Sequence, residues 1–223
     1  MPKVGMEPIR KAAVINAALE CICESGVEAA TLDIVAERAG CSKGVVAYYF
    51  KTKKGLMLEA LKAFLSYYQK SIQSKITKGM RSEEMIQIVV DEGLPSLEGD
   101  GDVHNPDINV SDLHGSAGAM WIPPDKKARL FVQFFSRAMV DREFQSVIQD
   151  VYKNDITGIE AIINYGIDSN EYSGVNALKT AYGLLAMIVG LSFFRVTDVG
   201  LPGSLDNRVV CMDYLNDTLI KNH

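Results

Sequence analysis

The sequence predicts an all-α protein, a small N-terminal three-helix unit at residues 1–54 followed by a larger helical unit at residues 55–223. Three observations support this. Apolar residues recur at the i, i+3, i+4, i+7 spacing of one helix face through most of the chain. Ser or Thr stands where several of those stripes begin, and Gly where they end. Hydrophobic residues make up 48% and charged residues 23%, the balance of a chain that folds in water around a real core.

Residues 8–24 read as the first helix, with Pro8 in its first turn and Ile15, Ala18, Leu19 and Ile22 on one face. Ser25 and Gly26 stop it. Thr31 is placed to cap a short second helix, with Asp33 favourable in its first turn and Leu32, Val35, Ala36 and Ala39 facing inward. Gly40 ends that helix. Ser42 caps a third, to about Phe50, in which Val46 and Phe50 face in while Lys43, Gly44, Ala47 and Tyr48 face out. Two short helices joined by a tight turn containing Gly have the dimensions of a helix-turn-helix, whose second helix fits a DNA major groove.

A net charge of −5 looks wrong for a nucleic-acid binder until it is divided along the chain. Residues 1–54 carry eight Lys or Arg against six acids, a balance of +2, which leaves −7 for the remainder. The basic groups gather at Lys43, Lys51, Lys53 and Lys54, within reach of phosphates.

Thr31, Ile34, Ala36, Ala39, Gly40, Ser42, Gly44, Tyr49, Phe50, Lys53 and Leu56, in that order and spacing, resemble the DNA-binding domain of the tetracycline-repressor (TetR) family over residues 9–56. The opening, Met1, Pro2, Lys3, Gly5 and Met6 with Ile9 and Arg10, is similar to the choline-responsive repressors of betaine synthesis within that family. The resemblance implies a helix-turn-helix DNA-binding domain at 1–54 and a ligand-binding and dimerisation domain at 55–223. It further implies a repressor released from its operator by a small molecule, with DNA contacts from Thr31, Ser42, Lys43, Gly44, Val45, Tyr48, Tyr49 and Lys53. Tyr49 has an equal claim as a core aromatic beside Phe50. Ala47 and Tyr48 depart from the residues many members carry, so one phosphate contact is absent from the pattern and operator preference is not inherited. An activator or quorum-type regulator is the alternative within the same class.

A long helix from Lys53 to about Lys78 joins the two units without a flexible linker, with Leu58, Leu61, Leu65 and Tyr68 on its stripe. Another spans about Ser82 to Leu97. Glu98–Pro124, with four Gly, four Asp and three Pro, reads as a long loop. Its Asp102, His104, Asp107, Asp112 and His114 fit no zinc or calcium template, so no metal or cofactor is expected. Helices follow at about Asp125–Met139, with Phe131, Phe134, Phe135 and Ala138 inward, and Asp141–Ile167, with Tyr152, Ile156, Ile159 and Ile163 inward.

Between Tyr182 and Val196 the only charge is Arg195. That helix is expected to be buried on all sides and, at this length, too short to span a membrane. Leu205, Val209, Met212, Leu215 and Leu219 give the last stripe. These two helices, packed against their symmetry copies as a four-helix bundle, would make a homodimer, as the resemblance also implies. An effector site is expected at Trp121, Phe131, Phe134, Phe135, Tyr165 and Tyr182, whose rings suit a cation such as choline, although core packing explains each ring singly.

Three histidines, no G-x-S-x-G and no glycine-rich phosphate loop argue against an enzyme. Cys21, Cys23, Cys41 and Cys211 lack metal-type spacing and read as reduced thiols. The N-terminus has no signal-peptide core, so a cytoplasmic location is expected.

Overall fold

The computed structural model describes residues 6–94, 122, 124–197, 199 and 206–221. Its helices are α1 (Met6–Ala29), α2 (Leu32–Arg38), α3 (Lys43–Phe50), α4 (Lys53–Lys75), α5 (Ser82–Gly93), α6 (Pro124–Ala138), α7 (Arg142–Asp168), α8 (Ala177–Val196) and α9 (Asn207–Thr218). The strands β1 (Tyr172–Ser173) and β2 (Ile220–Lys221) pair antiparallel. The described residues are all-α apart from this two-residue ladder. The chain falls into two compact units, described residues within 1–71 and 102–148, and those within 72–101 and 149–223.

In the first unit α1 extends further than its stripe suggests. It breaks at Gly26 (φ 83°), where the expected stop lies, and a last turn continues to Ala29. Positive φ favours glycine there. Ile15, Ala18, Leu19 and Ile22 are all buried, as their spacing requires. Beneath them α4 and α6 meet through aromatic rings. Phe64 lies edge-on to Phe131 at 4.8 Å and stacked near Phe134 at 6.1 Å, and Tyr68 is edge-on to Phe131 at 5.4 Å. Such ring pairs contribute about 0.5–1.5 kcal/mol each beyond the area they bury. The Gln133 side chain of α6 accepts from the Val27 N–H at 3.5 Å, tying α6 to the end of α1.

The second unit has its own core of Ile86, Val89 and Val90 from α5, Ile159 and Ile163 from α7, Ala181, Leu184, Ile188 and Leu191 from α8, and Cys211 and Leu215 from α9. At Gly166 a Cβ would stand 2.5 Å from the Tyr172 ring and 2.7 Å from Ser82 Cβ, so only glycine lets α7 approach β1 and α5 this closely. The Ser82 hydroxyl donates to the Ile162 carbonyl at 2.8 Å in the same place.

The C-terminal helices correct three expectations. α8 is not buried all round within one chain: Ala181, Leu184, Ile188 and Leu191 pack inward, while Leu178, Tyr182, Phe193 and Phe194 are exposed. It runs from Ala177 to Val196, and at 20 residues it has the length and apolar composition of a membrane-crossing helix, where too short a helix was expected. Its inward stripe is explained by packing within the second unit. On α9 the buried phase is Cys211, Leu215 and Leu219, with Val209 exposed, while Leu205 lies outside the described residues.

Candidate nucleic-acid interface

The interface begins with two side-chain caps. Thr31 Oγ1 accepts from the Ile34 N–H at 3.3 Å and starts α2, and Ser42 Oγ accepts from the Val45 N–H at 3.4 Å and starts α3. Each satisfies one of the backbone donors a helix start leaves unpaired. Between the helices Gly40 (φ 63°) takes the left-handed conformation that turns the chain, and Cys41 N–H donates to the Ala36 carbonyl at 3.0 Å. Arg38 closes the arrangement from below with two parallel hydrogen bonds to the Glu24 carboxylate, both 2.6 Å. The Arg38 hydrogen bond is the largest cause holding the Glu24 carboxyl below its usual range.

On α3, Val46 and Phe50 are buried, so the opposite face is free to meet a ligand. Ser42, Lys43, Gly44 and Tyr48 lie on that face, Tyr48 with 65% of its surface exposed. A Cβ at Gly44 would meet only Ser42 Oγ, at an ordinary 3.7 Å. Internal packing does not require glycine there, whereas close approach of the backbone to a duplex would. Tyr49 and Val45 are half-buried at the margin, and Tyr48 and Tyr49 stand edge to face at 5.3 Å. Thr31 is exposed at the start of α2.

The two expected lysines are engaged within the chain. Lys43 Nζ is 2.8 Å from Asp33 Oδ2, with both side chains largely exposed. Lys53 Nζ donates to the Glu28 carbonyl at 2.5 Å, at the carbonyl end of α1. An exposed pair such as Lys43 with Asp33 is worth about 0–1 kcal/mol, little enough for a phosphate to replace the carboxylate.

Sequence reasoning missed the joint between α3 and α4. Lys51 adopts φ 63° and its ammonium lies 5.3 Å from the centre of the Tyr48 ring. Thr52 then caps α4, its Oγ1 accepting from the Gly55 N–H at 3.0 Å. A Cβ at Gly55 would stand 2.4 Å from the Phe50 carbonyl oxygen, so glycine is what allows the two helices to join so tightly. The T-K-K-G run carried that signal, a capping residue three positions before a glycine.

The six expected effector residues fare differently. Phe131 and Phe134 sit among the rings of α4, with Phe135 half-buried beside them. Tyr165 and Tyr182 belong to the second unit and are exposed. Trp121 lies outside the described residues, as do Asp102, His104, Asp107, Asp112 and His114. A cleft of about 470 Å³ in the second unit is lined by Asn176, Lys179, Thr180, Gly183, Tyr214 and Thr218 among others, and by none of the six. Among the described residues, no group of His, Cys, Asp or Glu is placed to hold a metal ion.

Capped α2, a turn on Gly40 and an α3 with one polar outer face are the parts of a helix-turn-helix, and known proteins show the same pattern in this segment. Residues 14–60 match the bacterial regulatory proteins of the tetR family. The chain is 38% identical over 76 residues to the HTH-type transcriptional regulator BetI of Serratia proteamaculans, covering 34% of this chain and 38% of that protein. BetI 1 of Chromohalobacter salexigens is 37% identical over 92 residues, 41% of this chain and 46% of that one. The chain thus spans less than half the length of these curated relatives.

Over the rest of the chain the likeness is one of fold. A transcriptional regulator from Saccharomonospora viridis in complex with choline superposes with a TM-score of 0.77 at 17% identity, covering 95% of this chain and 98% of that one. The regulator FadR of Bacillus subtilis in complex with stearoyl-CoA gives 0.65 at 17% identity, covering 95% and 99%.

Proposed function

We propose that the chain is a DNA-binding transcriptional regulator, a repressor that leaves its operator when the helices after residue 54 take up a small molecule. The observation that carries this reading is the outer face of α3, where Ser42, Lys43, Gly44 and Tyr48 are exposed in a TetR domain while Val46 and Phe50 anchor the helix beneath. Ser42 and Tyr48 offer hydroxyl donors, Lys43 a charge and Gly44 backbone access, a set suited to phosphate oxygens and base edges. The reader functions as a pair, through a homodimer formed by α8 and α9, and acts on DNA in the cytoplasm. Supporting the dimer is the row of exposed apolar residues on α8, Leu178, Tyr182 and Phe193, beside Val209 and Tyr214 on α9.

The effector lies against the rings of α4 and α6. The choline-bound structural neighbour and the ring cluster favour a cation. Against it stands the buried Lys127, whose own ammonium is 5.9 Å from the centre of the Tyr67 ring. Selection of duplexes from a random pool by the full-length chain tests the DNA reading, and titrating the bound duplex with choline and, separately, stearoyl-CoA tests the effector. Failure to enrich any duplex would overturn the function; release by stearoyl-CoA alone would overturn the cation.

A further inference from the structure

Six charged side chains form one continuous chain of contacts at the start of α4, all within the first unit. Lys53 reaches the Glu28 carbonyl, and the Glu28 carboxylate accepts from Arg137 at 3.0 Å. Arg137 also lies 3.2 Å from Asp141 Oδ2, which takes Lys54 Nζ at 3.1 Å, and Lys54 is 2.6 Å from Glu143 Oε1. Three cations and three carboxylates balance, drawn from the end of α1, the start of α4, the end of α6 and the start of α7.

The members are not equivalent. Glu28 and Glu143 are mostly in solvent, whereas the Asp141 side chain is only 10% exposed. Asp141 Oδ1 also accepts from the Glu143 N–H at 3.1 Å, capping α7. Burial alone would raise its carboxyl, but the hydrogen bonds from Lys54, the Glu143 N–H and Arg137 outweigh burial and hold it below its usual range. A covered carboxylate with three donors tolerates the loss of a partner far less than an exposed pair does. Lys54, for its part, already faces two carboxylates.

We propose that Lys54 and Asp141 are positioning residues for DNA binding: their ion pair ties the start of α4 to the turn between α6 and α7, and through the short α3–α4 joint sets the aim of the reading face, while Lys54 itself touches no phosphate. The joint transmits direction because only Lys51 and Thr52 separate the two helices and Gly55 packs against the Phe50 carbonyl. This rests on the regulator reading above. It adds that a pair outside the reading face sets its affinity.

The test uses the full-length chain and a duplex that the wild type has enriched from a random pool, with affinity measured across a range of salt. Lys54→Gln and Asp141→Asn are each expected to weaken binding about tenfold. The double variant is expected within about threefold of Asp141→Asn, because the two act through one contact. Lys54→Arg keeps the pair and binds as the wild type does. The slope of log affinity against log salt stays at the wild-type value in Lys54→Gln. A slope shallower by about 0.9 would mark Lys54 as a phosphate contact and overturn the proposal. Additive losses, or single variants that bind at full strength, overturn it too. Circular dichroism separates unfolding from lost aim. A wild type that enriches no duplex overturns the regulator reading along with this one, whereas a binding wild type with unaffected variants overturns the positioning role alone.

Discussion

Lys43 stands on the outer face of α3 beside an exposed carboxylate, that of Asp33. Lys43→Ala should reduce the salt slope of duplex binding by about 0.9, the signature of one lost phosphate contact, while the thermal midpoint stays where it was. An unchanged slope would remove Lys43 from the interface. Cys211 is the opposite kind of residue. Burial in the second core pushes its thiol from 9.0 up to about 11. A raised thiol pKa means the folded chain favours the neutral form. Its contribution to stability is therefore complete below pH 9 and lost as the pH climbs towards 11. A thiol reagent near neutral pH should modify half-buried Cys41 and spare Cys211 until the chain unfolds, and peptide mass mapping reads the outcome. Early modification of Cys211 would contradict its packing.

At the scale of elements, α2 is held to α1 by the forked contact of Arg38 with Glu24. The lowered Glu24 pKa gives the sign of a pH effect: its stabilisation is present above the ordinary carboxylate value of 4.5 and disappears as the pH falls below it. Glu24→Gln should flatten that part of the acid limb in a thermal melt; an identical limb would show that the fork does not secure α2. The N-terminal elements were legible in the sequence because their signals are local. Thr31, Gly40 and Ser42 act within four residues of themselves, and each does in the structure what its position announces. The inward face of α8 was not legible, since a helix apolar on every side carries no phase to read, and only its neighbours select Ala181, Leu184, Ile188 and Leu191. The partners of Lys54 were invisible for another reason: Glu143 lies 89 positions away, and nothing local to either residue announces the other.

For the whole molecule, the exposed side of α8 bears on assembly. Leu178, Tyr182 and Phe193 in water represent apolar area that a second copy would cover, at about 25 cal/mol per Å² removed from solvent. Tyr182→Asp should shift the chain from dimer to monomer in sedimentation and weaken duplex binding, while helical content is kept. A wild type that sediments as a monomer at every concentration would overturn the proposed pairing. The fold at this scale was legible only as a count of helices with their lengths. Which of them gather into each of the two compact units depends on close approaches such as Gly166 against Tyr172, which no periodicity encodes.

The carboxylate of Asp33 has a consequence for selectivity. It is a counterion carried on a tether, so diluting the medium does not wash it away, and every polyanion that wants Lys43 must first displace it. In the proposed reading the same small penalty falls on all of them alike: it lowers every affinity by one factor and leaves the ratio between a cognate sequence and a stray strand as it was. Whatever selectivity the chain has must then come from the base edges that α3 meets and not from this charge.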